Sequence, residues 1–317
     1  MSRFTGCFTG LLLLVFLSAG TFAMAQEAAA KPDAPAEEDC FTKYMKVFNV
    51  SYTIGSVTPT VCELNGIAKP KKSSAPLVTP VVDIAKEKLN GRKVQRTLIF
   101  SGDAIGDALI QAFPEDFAKV RELTDYTALC SSVMQSVTPV CFSSIFTGAP
   151  PEVHGIRVYE RPVQKTDTLF DAFARAGKNV AIVAENHCSV DLIFRERKVD
   201  YYSFRTNEQS FQCAMKLIAD SDYDLIICYD GGYDSQMHKT GVHSPEALQA
   251  MRDSIRRFVS LVGQTEKYWG DKDRLVLFIS DHGSHDTKDG KGTHGTEMKE
   301  DMLMDHFYRV RAANPAE

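Results

Sequence analysis

The chain has 317 residues, a formal net charge of −5, 44% apolar residues and 24% charged ones. That length suits one large domain with a substantial core, and the ordinary composition excludes a fibrous or wholly disordered chain. The acidic balance carries no basic patch, which argues against binding of a nucleic-acid duplex.

Arg3, the apolar run Leu11 to Leu17 and the small-residue end Ala23-Met24-Ala25 have the layout of a cleaved secretory signal over residues 1–25. The run is shorter than the ~20 residues a bilayer span requires, so no membrane span is expected after cleavage and the mature chain is expected to be periplasmic or secreted. Removing 1–25 takes away one Arg and no acid, so the net charge moves from −5 to −6. Residues 26–38 (QEAAAKPDAPAEE) have no apolar periodicity and are expected to form a flexible linker.

Residues 39–94 are expected to be an N-terminal arm packed on the main domain, with a weakly alternating strand over Val47 to Thr53 and a short helix over Val81 to Leu89. Seven cysteines remain once Cys7 leaves with the signal: Cys40, Cys62, Cys130, Cys141, Cys188, Cys213 and Cys228. An oxidising compartment permits disulfides, and an odd count leaves at least one thiol free. Cys40 with Cys62 is the preferred pair, because both lie in a small segment with little else to hold it.

From residue 95 to 317 short apolar runs alternate with amphipathic segments, which argues for a mainly parallel sheet covered on both faces. The expected strands are Thr97 to Ser101, Asn179 to Ala184, Asp224 to Tyr229 and Arg274 to Ser280. Helices are expected over Thr166 to Ala176, closing at Gly177, and over Pro245 to Val262, opening after Ser244. In the second, Leu248, Met251, Ile255, Phe258, Val259 and Val262 form one apolar stripe that packs on the sheet.

Acidic and imidazole groups follow three of the four strands: Asp103 the first, Asp230 and Asp234 the third, Asp281-His282 the fourth. Each alone reads as a turn residue or helix cap. Ligands of open α/β sheets, however, sit beyond the carboxyl ends of the strands, so these separate segments converge on one crevice. Asp234 and His238, four apart, share a face if helical, and His294 lies in the Gly-rich loop Gly292-Thr293-His294-Gly295. Carboxylate oxygen and imidazole nitrogen are what a catalytic zinc site with an open position accepts.

Five segments in order then resemble one family. They are TLIFSGDAIGD (97–107), SVTPVCFSSIFTGAPPEVHGI (136–156), YDGGYDSQMHKTG (229–241), FISDHGSH (278–285) and GTHGTEMKEDM (292–302). Together they resemble the type I phosphodiesterases and nucleotide pyrophosphatases, a branch of the alkaline phosphatase superfamily. The resemblance implies a three-layer α/β/α sandwich with a mainly parallel central sheet. It also implies two divalent cations, zinc first and manganese as the alternative. One would be held by Asp103, Asp281, His282 and the oxygen of Thr138, the other by Asp234, His238 and His294. Thr138 would be the nucleophile, activated by coordination, toward a small-molecule phosphate ester, a diester by preference.

Helix N–H groups near Pro139 are expected to face the phosphate. Cys141 stands where members cleaving nucleotide diesters commonly carry Asn, and a thiol is a weak donor. Tyr233 is expected to help line the pocket. His154, His187 and His243 are expected to be structural, with His285 the exception closest to the site. The alternatives are a phosphomonoesterase, a phosphonate hydrolase or a phosphoryl-group transferase of the same superfamily. A non-catalytic metal-binding or partner-binding protein on a retained fold is the remaining one.

Overall fold

The computed structural model describes residues 38–315. The expected signal segment 1–25 and the linker up to residue 37 lie outside the described residues. Among the described residues ten strands occur in chain order: β1 (Tyr52–Thr53), β2 (Arg96–Gly102), β3 (Tyr126–Ser131), β4 (Val180–Glu185), β5 (Asp200–Phe204), β6 (Leu225–Asp230), β7 (Arg274–Ile279), β8 (His285–Asp286), β9 (Gly292–Thr293) and β10 (Leu303–Arg311). β8 and β9 pair as a separate ribbon, and the other eight form one sheet in the order β1-β3-β10-β7-β2-β6-β4-β5. All neighbours in it run parallel except β10, which is antiparallel to both β3 and β7.

The four expected strands form within one residue of their expected ends. Their apolar runs are buried on both sheet faces, as parallel strands with crossover helices require. Alternate residues divide between two cores. Ile99, Ile227, Leu275 and Leu277 face one side, with helices Val57–Asn65, Thr138–Thr147 and Leu169–Arg175. Leu98, Phe100, Ile226, Val276 and Phe278 face the other, with helices Asn207–Asp220 and Pro245–Tyr268. The result is a three-layer α/β/α arrangement around a mainly parallel sheet.

Helix Leu169–Arg175 opens at Thr168, whose side chain and that of Asp171 cap each other's backbone N–H, and the chain turns at Gly177 with φ +72°. The long helix opens at Ser244 as expected and runs on to Tyr268. Met251, Ile255, Phe258 and Val262 of its stripe are buried, while Leu248 and Val259 are partly so.

Three strands carry no clear sequence signal. β5 is an edge strand, half exposed and polar. β3 alternates only loosely. β10 carries Asp305, His306, Arg309 and Arg311 on a strand that is nonetheless buried. Three of its polar side chains find tertiary partners: His306 Nε2 lies 2.7 Å from the Ser280 carbonyl, Arg309 pairs with Glu266 at 2.9 Å, and Arg311 with Asp125 at 2.8 Å.

The strand expected over Val47 to Thr53 is corrected. Val47 ends a helix, Cys40–Val47, and only Tyr52 and Thr53 pair with β3. Asp39 caps that helix by accepting the Thr42 N–H at 3.1 Å, and Phe41 and Tyr44, three residues apart, turn into the protein. Residues Phe41, Ile54, Val57, Val61, Val78 and Val81 share one apolar cluster with Ile99, Phe142 and Leu275. The expected helix near Val81 spans Thr79–Lys88.

The Cys40–Cys62 disulfide is also corrected, because all seven cysteines among the described residues are free thiols. Cys62 is buried on the Val57–Asn65 helix with Arg175, Asp167 and Lys69 as its charged neighbours, whereas Cys40 lies beside Glu152, Lys43 and Met134. Apolar packing, not a cross-link, anchors this segment.

Helix Thr138–Thr147 is buried along its whole length, and Cys141 Sγ lies 3.3 Å from Ser132 Oγ. Cys141 is therefore a packing residue.

Two outcomes follow from this packing. Alkylation in denaturant without reductant, read by peptide mass spectrometry, should label both Cys40 and Cys62; an intact Cys40–Cys62 cross-link would contradict the structure. Cys141→Asn should lower the unfolding free energy by about 1–3 kcal/mol, read as a lower urea midpoint, since it forces a larger, more polar group into a filled site.

Candidate metal centre

Strands β2, β6 and β7 are adjacent and parallel, so their carboxyl ends open on one side of the sheet. Asp103 follows β2, and its backbone N–H donates to the Asp230 carbonyl at 3.0 Å, tying the first two loops together. Asp281 and His282 follow β7 and are fully buried. Gly106 and Gly283 stand where these loops cross: a Cβ on Gly106 would lie 2.7 Å from the Gly283 Cα, closer than side chains pack. Asp234 and His238 sit one turn apart on helix Gly232–Thr240, which starts directly after β6. Gly292 lets the His294 loop lie on that helix, since a Cβ there would meet the Met237 carbonyl oxygen at 2.7 Å.

These residues gather as two groups, Asp103 with Asp281 and His282, and Asp234 with His238 and His294, the donor atoms of each group lying within 4.8 Å of one another. The imidazoles are oriented from behind. His282 Nδ1 lies 3.0 Å from the Gly283 carbonyl, His238 Nδ1 3.0 Å from that of Gly292, and His294 Nδ1 2.9 Å from that of Ser136. A carbonyl only accepts, so each Nδ1 carries a proton and each Nε2 is turned inward, where a cation would take its lone pair. There His238 Nε2 and His294 Nε2 stand 3.2 Å apart, and His282 Nε2 stands 3.3 Å from Asp281 Oδ2 and 3.4 Å from Asp103 Oδ1.

Three carboxylate oxygens, Asp103 Oδ1, Asp234 Oδ1 and Asp281 Oδ2, are buried with no hydrogen-bond donor. Burial, then the charge of Asp234, pushes the Asp103 carboxyl up to about 7. Burial, then Asp103, raises Asp281 well above its ordinary value. Burial also works to raise Asp234, but the imidazoles of His238 and His294 beside it outweigh that and hold its carboxyl low. Orphaned acceptors facing one another fit divalent cations, which would neutralise the repulsion and occupy the lone pairs. The donor sets, two carboxylates with one imidazole and one carboxylate with two imidazoles, suit zinc with an open position, and the carboxylates also suit manganese.

Thr138 is the first residue of its helix, with Oγ1 3.4 Å from His282 Nε2. The expected row of free N–H groups shrinks to one. Pro139 has none, and the Val140 and Cys141 N–H groups both donate to the Val137 carbonyl at 3.0 Å, leaving that of Thr138. Thr138, Asp103 and Asp234 line a cleft of about 270 Å³.

Other expected participants stand apart from it. Asp230 pairs with Arg257 at 2.8 Å and accepts the Gly232 N–H at 2.9 Å, so it holds the loop rather than an ion. Tyr233 turns away from the cleft and donates to the Val242 carbonyl at 3.2 Å. Tyr229 takes the place at the cleft instead, its hydroxyl donating to Asp103 Oδ2. Cys141 is not among the lining residues.

Of the remaining histidines, His154 is buried, which pulls its pKa down to about 3, and lies 2.9 Å from Ser144 Oγ. His243 packs edge-on against Phe113. His285 Nδ1 lies 2.7 Å from Asp301 Oδ1, outside both donor groups. His187 does line the cleft, as do Tyr159 and Arg161 from a segment without regular structure. Sequence reasoning missed these last two, since no motif marks them. Asp301 was missed as well: its other oxygen accepts the Thr296 N–H at 2.9 Å and hydroxyl at 2.8 Å, bracing the His294 loop.

Solved structures with a similar fold include phosphonoacetate hydrolase from Sinorhizobium meliloti 1021 in complex with phosphonoformate. It is 20% identical with a TM-score of 0.50, over 64% of this chain and 61% of that one. Murine ectonucleotide pyrophosphatase/phosphodiesterase 5, an inactive form in complex with AMP, is 18% identical with a TM-score of 0.51, over 62% of this chain and 59% of that one. The human protein of the same name is 17% identical with a TM-score of 0.50, over 61% and 58%. At such identity the likeness concerns the fold, and the matched part is about three fifths of each of these proteins. A search of curated proteins gives no match. The family model described as type I phosphodiesterase / nucleotide pyrophosphatase matches residues 97–315, more than half of the sequence, and the chain belongs to that family.

Proposed function

We propose that this chain is an exported hydrolase of phosphate esters, diesters by preference, that attacks phosphorus with Thr138. The observation that carries this is the position of Thr138 Oγ1, at a helix N-terminus, 3.4 Å from His282 Nε2, in the cleft shared with Asp103 and Asp234. Family membership supports the reaction class. Asp103, Asp281 and His282 would hold one cation beside Thr138, and Asp234, His238 and His294 the other. When bound, two dications supply positive charge that lowers the pKa of a nearby hydroxyl and stabilises charge developing on phosphoryl oxygens.

In this reading the Thr138 hydroxyl loses its proton to solvent and its oxygen bonds to phosphorus as the bond to the departing alkoxide breaks. Water then displaces Thr138 from phosphorus and restores the hydroxyl. The Thr138 N–H, at the first position of its helix, would donate to a phosphoryl oxygen. Export rests on the expected signal over residues 1–25, and among the described residues no helix is long and apolar enough to cross a membrane.

Metal analysis of the purified chain should find two divalent ions, and Asp234→Ala and His238→Ala should each empty mainly one site. Full loading in both variants would overturn the ligand assignment. Thr138→Ala should lower turnover of bis(p-nitrophenyl) phosphate by at least about a thousandfold while keeping metal content and fold, and Thr138→Ser should retain measurable activity. A near-normal rate for Thr138→Ala would mean that water, not the side chain, makes the attack. Comparing that diester with p-nitrophenyl phosphate and a phosphonate under the same loading separates the diesterase reading from its monoesterase and phosphonatase alternatives.

A further inference from the structure

The cleft beside Thr138 has a second wall that the proposed chemistry does not use. It is formed by Tyr159, Arg161, Asn186, His187, Ser189 and Ser235. Among the described residues Arg161 is the one Lys or Arg lining this cleft, and no carboxylate among them forms an ion pair with it. Its guanidinium is nonetheless placed. Nη1 donates to the His187 carbonyl at 2.8 Å, and the guanidinium carbon lies 6.0 Å from the centroid of the Tyr159 ring.

The loop that presents that carbonyl is itself held. His187 takes a left-handed backbone conformation, φ +64°, its N–H donates to Asp191 Oδ2 at 3.0 Å, and Asp191 pairs with Arg195. One of five guanidinium N–H groups is thus used by the wall, and the rest remain for a ligand. Glu185 also reaches the cleft, but the charges acting on it are Asp230 and Lys239 rather than Arg161.

The lining suits neither a nucleobase nor an acyl chain. Its aromatic residues are Tyr159, which flanks Arg161, and Tyr229, whose hydroxyl is committed to Asp103. A volume of about 270 Å³ also favours a small substrate. We propose that Arg161, with Asn186 and His187 beside it, forms an anion subsite that selects esters whose non-leaving arm carries a second anionic group, a carboxylate or a phosphonate. This rests on the phosphate-ester reading of the site.

Three p-nitrophenyl phosphodiesters test it, sharing one leaving group and differing in the other arm: propyl, 2-carboxyethyl and 2-phosphonoethyl. Wild-type kcat/KM should favour the two charged arms over propyl by roughly tenfold, the order expected for one charge-assisted contact. Their ranking tells carboxylate from phosphonate. Arg161→Gln should bring the ratio close to one, and Arg161→Lys should keep part of it. A wild-type ratio near one overturns the subsite. So does an equal loss on all three esters in Arg161→Gln, which would place Arg161 on the scissile phosphoryl group instead.

Calorimetric binding of the same esters to zinc-loaded Thr138→Ala protein reads the subsite without turnover. Preference for charged arms that disappears in Thr138→Ala/Arg161→Gln supports the subsite even if no ester is hydrolysed, in which case the hydrolase reading alone fails. Affinity independent of arm charge in Thr138→Ala rejects the subsite.

Discussion

The dominant constraint in this protein is the mutual repulsion of three carboxylates whose inward oxygens are buried. Asp103, Asp234 and Asp281 point unpartnered oxygens into one space, and three imidazole lone pairs point there too. A core that only had to be stable would not gather such groups, because burying charge without a partner costs several kcal/mol per group. The sheet order makes the gathering possible. With β6, β2 and β7 side by side and parallel, their three following loops emerge at one edge of the sheet.

Holding repelling groups together requires bracing, and the residues behind the ligands provide it. Backbone carbonyls of Gly283, Gly292 and Ser136 set the imidazole tautomers, Tyr229 donates to Asp103, and Asp301 joins His285 to Thr296. The N-terminal arm takes part in the same bracing. Tyr44 donates to Glu297, three residues beyond His294, and the Cys40 N–H donates to Glu152 at 2.8 Å. Fixing ligand positions before an ion arrives is what lets a site keep an open coordination position for a substrate.

The cleft then divides its labour between two kinds of structure. Thr138 and the ligand residues stand on or just beyond helices and strands whose ends are fixed by the buried core. The facing wall is built from the irregular segment around Tyr159 and Arg161 and the loop after β4. Rigid elements suit groups that must keep sub-ångström geometry, while loops suit groups that decide which substrate is admitted.

Local pattern and ordered motifs determined a good part of this. The four strands with unbroken apolar runs, the turn at Gly177, the helix start after Ser244, and the candidate residues Asp103, Thr138, Asp234, His238, Asp281, His282 and His294 were all legible in the sequence. Apolar runs report burial on two faces directly, and a chemical donor set at strand ends is written in residue types. Only the tertiary structure decided the rest. β10 is charged along its length and becomes a buried strand because Glu266, Asp125 and Ser280 come to it from elsewhere in the chain. Cys40 and Cys62 are close in sequence yet keep different neighbours, Tyr229 rather than Tyr233 meets the cleft, and Asp230 is spent on Arg257. Arg161 lies between motifs and gains its meaning from the carbonyl of His187, 26 residues away. Such pairings depend on which surfaces meet when the layers close, and that information resides in no single segment.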